Sequence, residues 1–169
     1  LANMNQRMLD IVLRASDSVL FPKVYDLVFP LFQKKHKPDD VKLAKFGELV
    51  REHPIQVQFD MFGASSKFCA AAAVEPTAYL ACASDVNDMS RCISPAQKLA
   101  CLVSACRIAE EQIARAGKAY GADELLPVLC YAIVQSQLTD VHAQFAFIDE
   151  FVGDTVSQSY DACMFTHFT

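Results

Sequence analysis

Residues 121–135, GADELLPVLCYAIVQ, constrain the fold more than any other stretch of the chain. Gly121 interrupts what precedes it. Ala122, Asp123 and Glu124 then open a helix, with carboxylates beside its unpaired N-terminal amides. Leu125, Leu126, Leu129, Cys130, Ile133 and Val134 spread apolar side chains over most of the helix circumference. Such a helix is normally buried on several sides, so the rest of the chain has to supply its neighbours. Pro127 falls within the first turn or two, where its missing N–H costs little. After a polar turn, the spacing predicts a second helix from about Thr139 or Asp140, either of which can cap it. Val141, Phe145, Ile148 and Phe151 lie on one face of that helix.

The candidate neighbours also read as helices, with no sustained period of two anywhere. Met4, Met8, Ile11, Val12 and Ala15 make one stripe. A second helix is predicted over 17–35, with Pro22 early and Pro30 set to kink or split it. Its end carries Lys34, Lys35, His36 and Lys37, which read as a cationic helix C-terminus rather than a phosphate or lipid patch. Pro38, Asp39 and Asp40 open a third helix, with Val41, Leu43, Phe46, Leu49 and Val50 facing in. Pro54 starts a short segment over 55–62 that Gly63 ends. The alanine-rich 66–84 region is helical and broken before Pro76, and 85–91 reads as a polar loop. Ser94, Pro95 and Gln97 form a capping box ahead of a helix that runs to about residue 116. Leu99, Leu102, Val103, Cys106, Ile108 and Ile113 form its inner face. Residues 117–121 form a loop without the G-K-[ST] of a phosphate cradle, and a last helix starts near Ser157 or Ser159.

The 169 residues suit one domain, and a 53% hydrophobic share with 21% charged residues is that of a globular chain. The net charge of −5 argues against nucleic acid, which calls for a basic surface. The longest apolar run, 68–74, falls far short of the about 18 residues that span a bilayer. The start, LANMNQRMLD, reads as an amphipathic helix rather than a signal peptide. With no initiator Met, and an end inside an apparent helix, the chain is expected to be a fragment truncated at its C-terminus. The seven cysteines are odd in number, form no C-x-x-C and lie mostly on apolar helical faces. They read as small core residues in a reducing compartment, rather than disulfides or metal ligands.

Bond-making chemistry has no visible apparatus. G-x-S-x-G, H-E-x-x-H and an acidic calcium loop are all missing, and His36, His53, His142 and His167 are scattered. The carboxylate pairs Asp39/Asp40, Glu110/Glu111 and Asp149/Glu150 read as helix starts or solvated faces. Neither a cofactor nor a metal site is expected.

The opening Ala122-Asp123-Glu124-Leu125-Leu126-Pro127, the apolar helix after it, the turn and then Phe147-Ile148-Asp149-Glu150-Phe151 together resemble the vacuolar-protein-sorting-nine (VPS-nine) exchange domain family. Ser94-Pro95-Ala96-Gln97-Lys98-Leu99 is similar to that family's P-x-x-K-L helix start, and Tyr25 through Phe32 to its Y-x-x-[LV]-[FY]-P-x-[LF] segment. The likeness covers roughly residues 20–169. It implies an all-α layered helical bundle, a single domain in which an N-terminal helical subdomain (1–62) braces a core (63–169). It also implies a guanine-nucleotide exchange factor, active without covalent chemistry, whose partner is an early-endosomal Rab GTPase in its nucleotide-free or GDP form. Such a domain is cytoplasmic and peripheral to endosomal membranes, recruited by flanking regions.

In that family the acidic residue at the Asp123 position reaches toward the GTPase's phosphate-binding lysine. A carboxylate there replaces phosphate as that lysine's partner while repelling phosphate itself. The proline at the Pro127 position lines the same surface, and the resemblance makes Glu124 a neighbouring partner-binding residue. Taken alone, Asp123 is an ordinary helix-start carboxylate and Pro127 a tolerated early proline. The final helix departs from the family's Y-[YC]-[LF]-T-x-[LF]. Thr166 falls on the threonine and Cys163 where the tyrosine usually stands, as in alsin-type members, with Tyr160 one turn earlier. The alternative reading is a weak or inactive module that binds a GTPase or a scaffold through the same groove.

Overall fold

The computed structural model describes residues 2–66, 69, 75–115 and 122–152, with side chains from Ala15 onward except those of residues 16, 76, 78, 122 and 123. These residues make α1 (Ala2–Arg51), α2 (Ile55–Met61), α3 (Leu80–Asp88), α4 (Pro95–Arg115), α5 (Ala122–Gln135) and α6 (Val141–Val152), with short 3-10 turns at Pro76–Tyr79 and Met89–Arg91. No strand occurs among the described residues, and the fold is an all-α helical bundle.

Two helix ends fall where their own signals put them. Ser94 and Gln97 close the capping box at the head of α4: Gln97 N–H donates to Ser94 Oγ at 3.2 Å, and Ser94 N–H to Gln97 Oε1 at 3.4 Å. α2 ends in a Schellman motif, Ala64 N–H reaching Phe59 O at 3.0 Å and Gly63 N–H reaching Asp60 O at 2.9 Å. Gly63 has φ +81°, which only a residue without Cβ adopts at no cost.

The N-terminal third differs from expectation. Pro30 neither splits the helix nor ends it; α1 runs unbroken through Pro22, Pro30 and Pro38. All three prolines are exposed, as are Ser18, Asp26 and Lys34, whose carbonyls lose their donors. Water can pair those carbonyls, so the local cost is modest and packing of the opposite face outweighs it. The Lys34–Lys37 run and Asp39/Asp40 therefore lie mid-helix, not at ends. Val41, Phe46 and Leu49 are exposed, and of the expected inner face only Val50 is fully buried, with Leu43 half-buried. A second difference is at 85–91, which is helix and 3-10 turn rather than loop. Val86 and Met89 are both 0% exposed and hold that segment on the core despite its polar composition.

Two apolar clusters join the elements. The larger gathers Phe59 from α2, Cys82 and Val86 from α3, Leu102, Ala105 and Cys106 from α4, Leu125, Val128 and Leu129 from α5, and Ile148 from α6. α5 packs against α1, α2, α3 and α4, the surrounded position that its apolar circumference demanded. The smaller cluster packs Phe21 and Phe29 of α1 on Ala143 and Phe147 of α6. Phe147 makes edge contacts with Phe21, Tyr25, Phe29 and Phe32 at centroid distances of 5.7, 5.7, 5.4 and 5.5 Å.

Candidate functional site

The head of α5 carries Asp123, Glu124 and Pro127 of the sequence-predicted residues, and its far end is firmly held. Arg51 of α1 donates to the Val134 carbonyl, one of the acceptors that the end of a helix leaves unpaired. Gln135 Nε2 donates to Gln58 Oε1 of α2 at 2.7 Å, and Ser136 N–H closes on Ala132 O at 2.9 Å. With its C-terminal turn tied to α1 and α2 and its middle buried, α5 presents its first turn in a fixed direction.

Along the buried side of that helix, Leu125 and Leu129 are 1% exposed and Val128 0%. Pro127 is buried with them. It stands among core residues, not as an apolar knob in water. Its ring also leaves the Asp123 carbonyl without the intrahelical donor it would otherwise have. Glu124 is half-buried and Leu126 is 50% exposed. Leu126 with half-buried Cys130 and Ile133 follows i, i+4, i+7 spacing, an outward stripe that continues from the first turn. The stripe was readable as spacing in the sequence but was absorbed there into an all-round apolar helix. Asp123 is the second residue of α5, and its side chain lies outside the described residues. Tyr160, Cys163 and Thr166 also lie outside them.

The first turn of α4 holds a feature not expected from sequence. Lys98 is 0% exposed. Its ammonium donates to Met89 O at 2.9 Å and to the Tyr25 hydroxyl oxygen at 3.1 Å. It also lies 5.0 Å from the Tyr25 ring centroid, 4.9 Å from that of Phe29 and 5.9 Å from that of Phe147. Burial pulls its pKa down to about 8, against the opposing pull of Cys92, Asp140 and Cys101. Tyr25 is pushed up to about 12, first by burial and then by Asp140 and Asp26, so the phenol stays protonated. The lysine joins α1, α4 and α6; sealed behind three rings, it is a structural cation.

Asp40 was expected to start a helix of its own and instead caps another. It is 6% exposed in the middle of α1, and the His142 N–H at the head of α6 donates to its Oδ1 at 2.7 Å. His142 Nδ1 lies 3.0 Å from the same oxygen. About two turns earlier on α1, Gln33 Nε2 donates to Asp140 Oδ2 at 2.8 Å. One orphan amide of α6, that of His142, is thus satisfied from a helix 102 residues distant in sequence.

Among the described residues no group of three or more His, Cys, Asp or Glu is placed to hold a metal ion, and no helix is long and apolar enough to cross a membrane.

A bundle of this kind, built around an apolar helix with an acidic head, is one that comparison with known proteins resolves into a class. The family model of the Vacuolar sorting protein 9 (VPS9) domain matches residues 79–169, over half of the chain, and the chain belongs to that family. Among curated proteins, Ras and Rab interactor 3 of Mus musculus is 36% identical over 58 residues, covering 33% of this chain and 6% of that protein. Its Homo sapiens counterpart is 37% identical over 57 residues, again 6% of its length. Receptor-mediated endocytosis protein 6 of Caenorhabditis briggsae is 27% identical over 86 residues, half of this chain and 8% of that protein. The chain thus spans under a tenth of these relatives' length.

Proposed function

We propose that this domain is a guanine-nucleotide exchange factor for a Rab GTPase of the early-endosomal type. The observation that carries the reading is the VPS9 match over 79–169, which contains the acidic head of α5. Names of relatives that speak of Rab interaction and of endocytosis support it.

In this reading α5 is the working element. Asp123 stands three residues before Leu126 and so heads the stripe of Leu126, Cys130 and Ile133. Its carboxylate competes with nucleotide phosphate for the GTPase lysine, and the stripe takes the apolar switch residues. Glu124 adds negative charge at the same helix end. Pro127 acts from beneath, as a buried residue that shapes the first turn and leaves the Asp123 carbonyl free of an intrahelical donor. Thr166, Cys163 and Tyr160 of the final segment complete the partner surface. Binding the nucleotide-free GTPase more tightly than the loaded one accelerates release, a negative coupling between two ligands of one protein, with no covalent step and no cofactor. Residues 1–62 form a bracing subdomain against the 63–169 core, and the domain works in the cytoplasm at endosomal membranes.

Cys163 at the usual tyrosine position favours one alternative, a GTPase-binding module with weak or no exchange. Release of fluorescent GDP from a panel of Rab GTPases decides between the two. Accelerated release from one or more members is expected; binding without acceleration would establish the alternative.

A further inference from the structure

Cys92 and Cys101 are both half-buried free thiols with their sulfurs 3.7 Å apart. Cys92 is extended, at φ −86° and ψ 140°, in the short link between the Met89–Arg91 turn and the capping box of α4. Its thiol also lies 3.5 Å from Asp88 O. Cys101 is in the second turn of α4, and Lys98 stands between the two in sequence. Negative charge on either sulfur favours the ammonium of Lys98. Cys101 is pushed up to about 12 by burial and then by Cys92, which makes it the thiol that stays protonated.

We propose that Cys92 and Cys101 form an oxidisable dithiol, a site where peroxide installs a reversible disulfide across the capping corner of α4. A disulfide needs the sulfurs to close from 3.7 Å to about 2.05 Å. Rotation about the two Cα–Cβ bonds and a small shift of the extended link at Cys92 supply that movement, while the helix that holds Cys101 stays in place. The chemistry balances without a further reactant. The Cys92 thiolate attacks one oxygen of hydrogen peroxide; the S–O bond forms, the O–O bond breaks, and the departing hydroxide takes a proton to become water. The Cys101 sulfur then attacks the Cys92 sulfenic acid; the S–S bond forms, the S–O bond breaks, and the leaving hydroxyl takes the Cys101 proton as a second water. Two thiols are oxidised by two electrons, and one peroxide is reduced to two waters. In a reducing compartment the pair rests as thiols and returns to them through thiol exchange.

The core offers an internal comparison. Cys82 and Cys106 are also neighbours, since charge on Cys82 raises Cys106, but both are 0% exposed and closed to peroxide. Burial pushes each of them up to about 12.

The test treats the folded chain with hydrogen peroxide, alkylates remaining thiols under denaturing conditions and maps tryptic peptides. Cleavage after Arg91, Lys98 and Arg107 puts Cys92 in peptide 92–98 and Cys101 with Cys106 in peptide 99–107. A cross-linked pair of these peptides, lighter by two hydrogens and reversed by dithiothreitol, is expected in most molecules. It should persist in Cys106→Ser and vanish in Cys101→Ser. Absence of the linked pair from the wild-type chain, or its survival in Cys101→Ser, overturns the proposal, and the wild-type result does not depend on either variant folding.

Discussion

Asp123→Ala separates a carboxylate that works from one that only starts a helix. As a helix-start group it contributes at most about 1 kcal/mol. As the partner of a desolvated lysine its truncation costs on the order of 2–5 kcal/mol at the interface. The expected outcome is a melting curve close to wild type with GDP release slowed by ten-fold or more, both read on one preparation; unchanged release would remove Asp123 from the mechanism. Lys98 supplies a residue-scale prediction about pH. Its pKa is about 8 folded against 10.5 for the free side chain, so between these values the unfolded chain holds more protons than the folded one. The burial penalty is therefore fully present below pH 8 and is relieved as pH rises toward 10.5. Thiols work in the opposite direction, since Cys101 and Cys106 are raised and lose their contribution above pH 9. The difference between wild type and Lys98→Met isolates the lysine. From pH 7 to 9 the wild type should gain unfolding free energy relative to the variant, by less than the ~1.4 kcal/mol per pH unit of one full proton. Parallel curves in urea titrations would mean that Lys98 is solvated.

α5 is the element whose two sides make opposite predictions. Leu129 is 1% exposed within the larger cluster, and Leu129→Ala should cost roughly 2–5 kcal/mol in a denaturant melt. Leu126 is 50% exposed, and Leu126→Asp should move stability by under about 0.5 kcal/mol. If the stripe receives a GTPase, that same change should slow release roughly five-fold or more. Much of this element was legible in sequence because its signals are local: Gly121 before it, carboxylates at its head, apolar residues at helical spacing. The Ser94–Gln97 box and the Gly63 stop were legible for the same reason. Other features were not, because they depend on distant partners. Whether Pro30 breaks α1 turns on whether the carbonyls it frees reach water, and that is fixed by which face the rest of the chain covers. Asp40 looks like a helix start until α6 arrives with an uncapped His142 amide. Burial of Lys98 is against the habit of lysine and follows only from rings at 25, 29 and 147 closing over it. Pro127, read as surface, is core, since one residue of register separates it from exposed Leu126.

At the scale of the whole molecule, the question is whether α1 is an attachment or part of the fold. Four kinds of contact bind it to later elements: the aromatic cluster on α6, the Asp40 cap of α6, the Arg51 bond to the end of α5, and the Tyr25 contact with Lys98 of α4. A bracing helix with so many links should not melt separately, because losing it would leave Phe147, Lys98 and the head of α6 all unpartnered at once. Phe147 is the strictest probe: it is 0% exposed, and four rings of α1 surround it. Phe147→Ala should cost about 3–5 kcal/mol as a large-to-small change in a packed site. The loss should appear as a single transition at lower denaturant, with far-UV circular dichroism and tyrosine fluorescence coinciding, because Tyr25 lies in the cluster and Tyr131 in the core. Two separated transitions, with Tyr131 still ordered after part of the helical signal has gone, would show instead that α1 is a detachable unit and that the core stands without it.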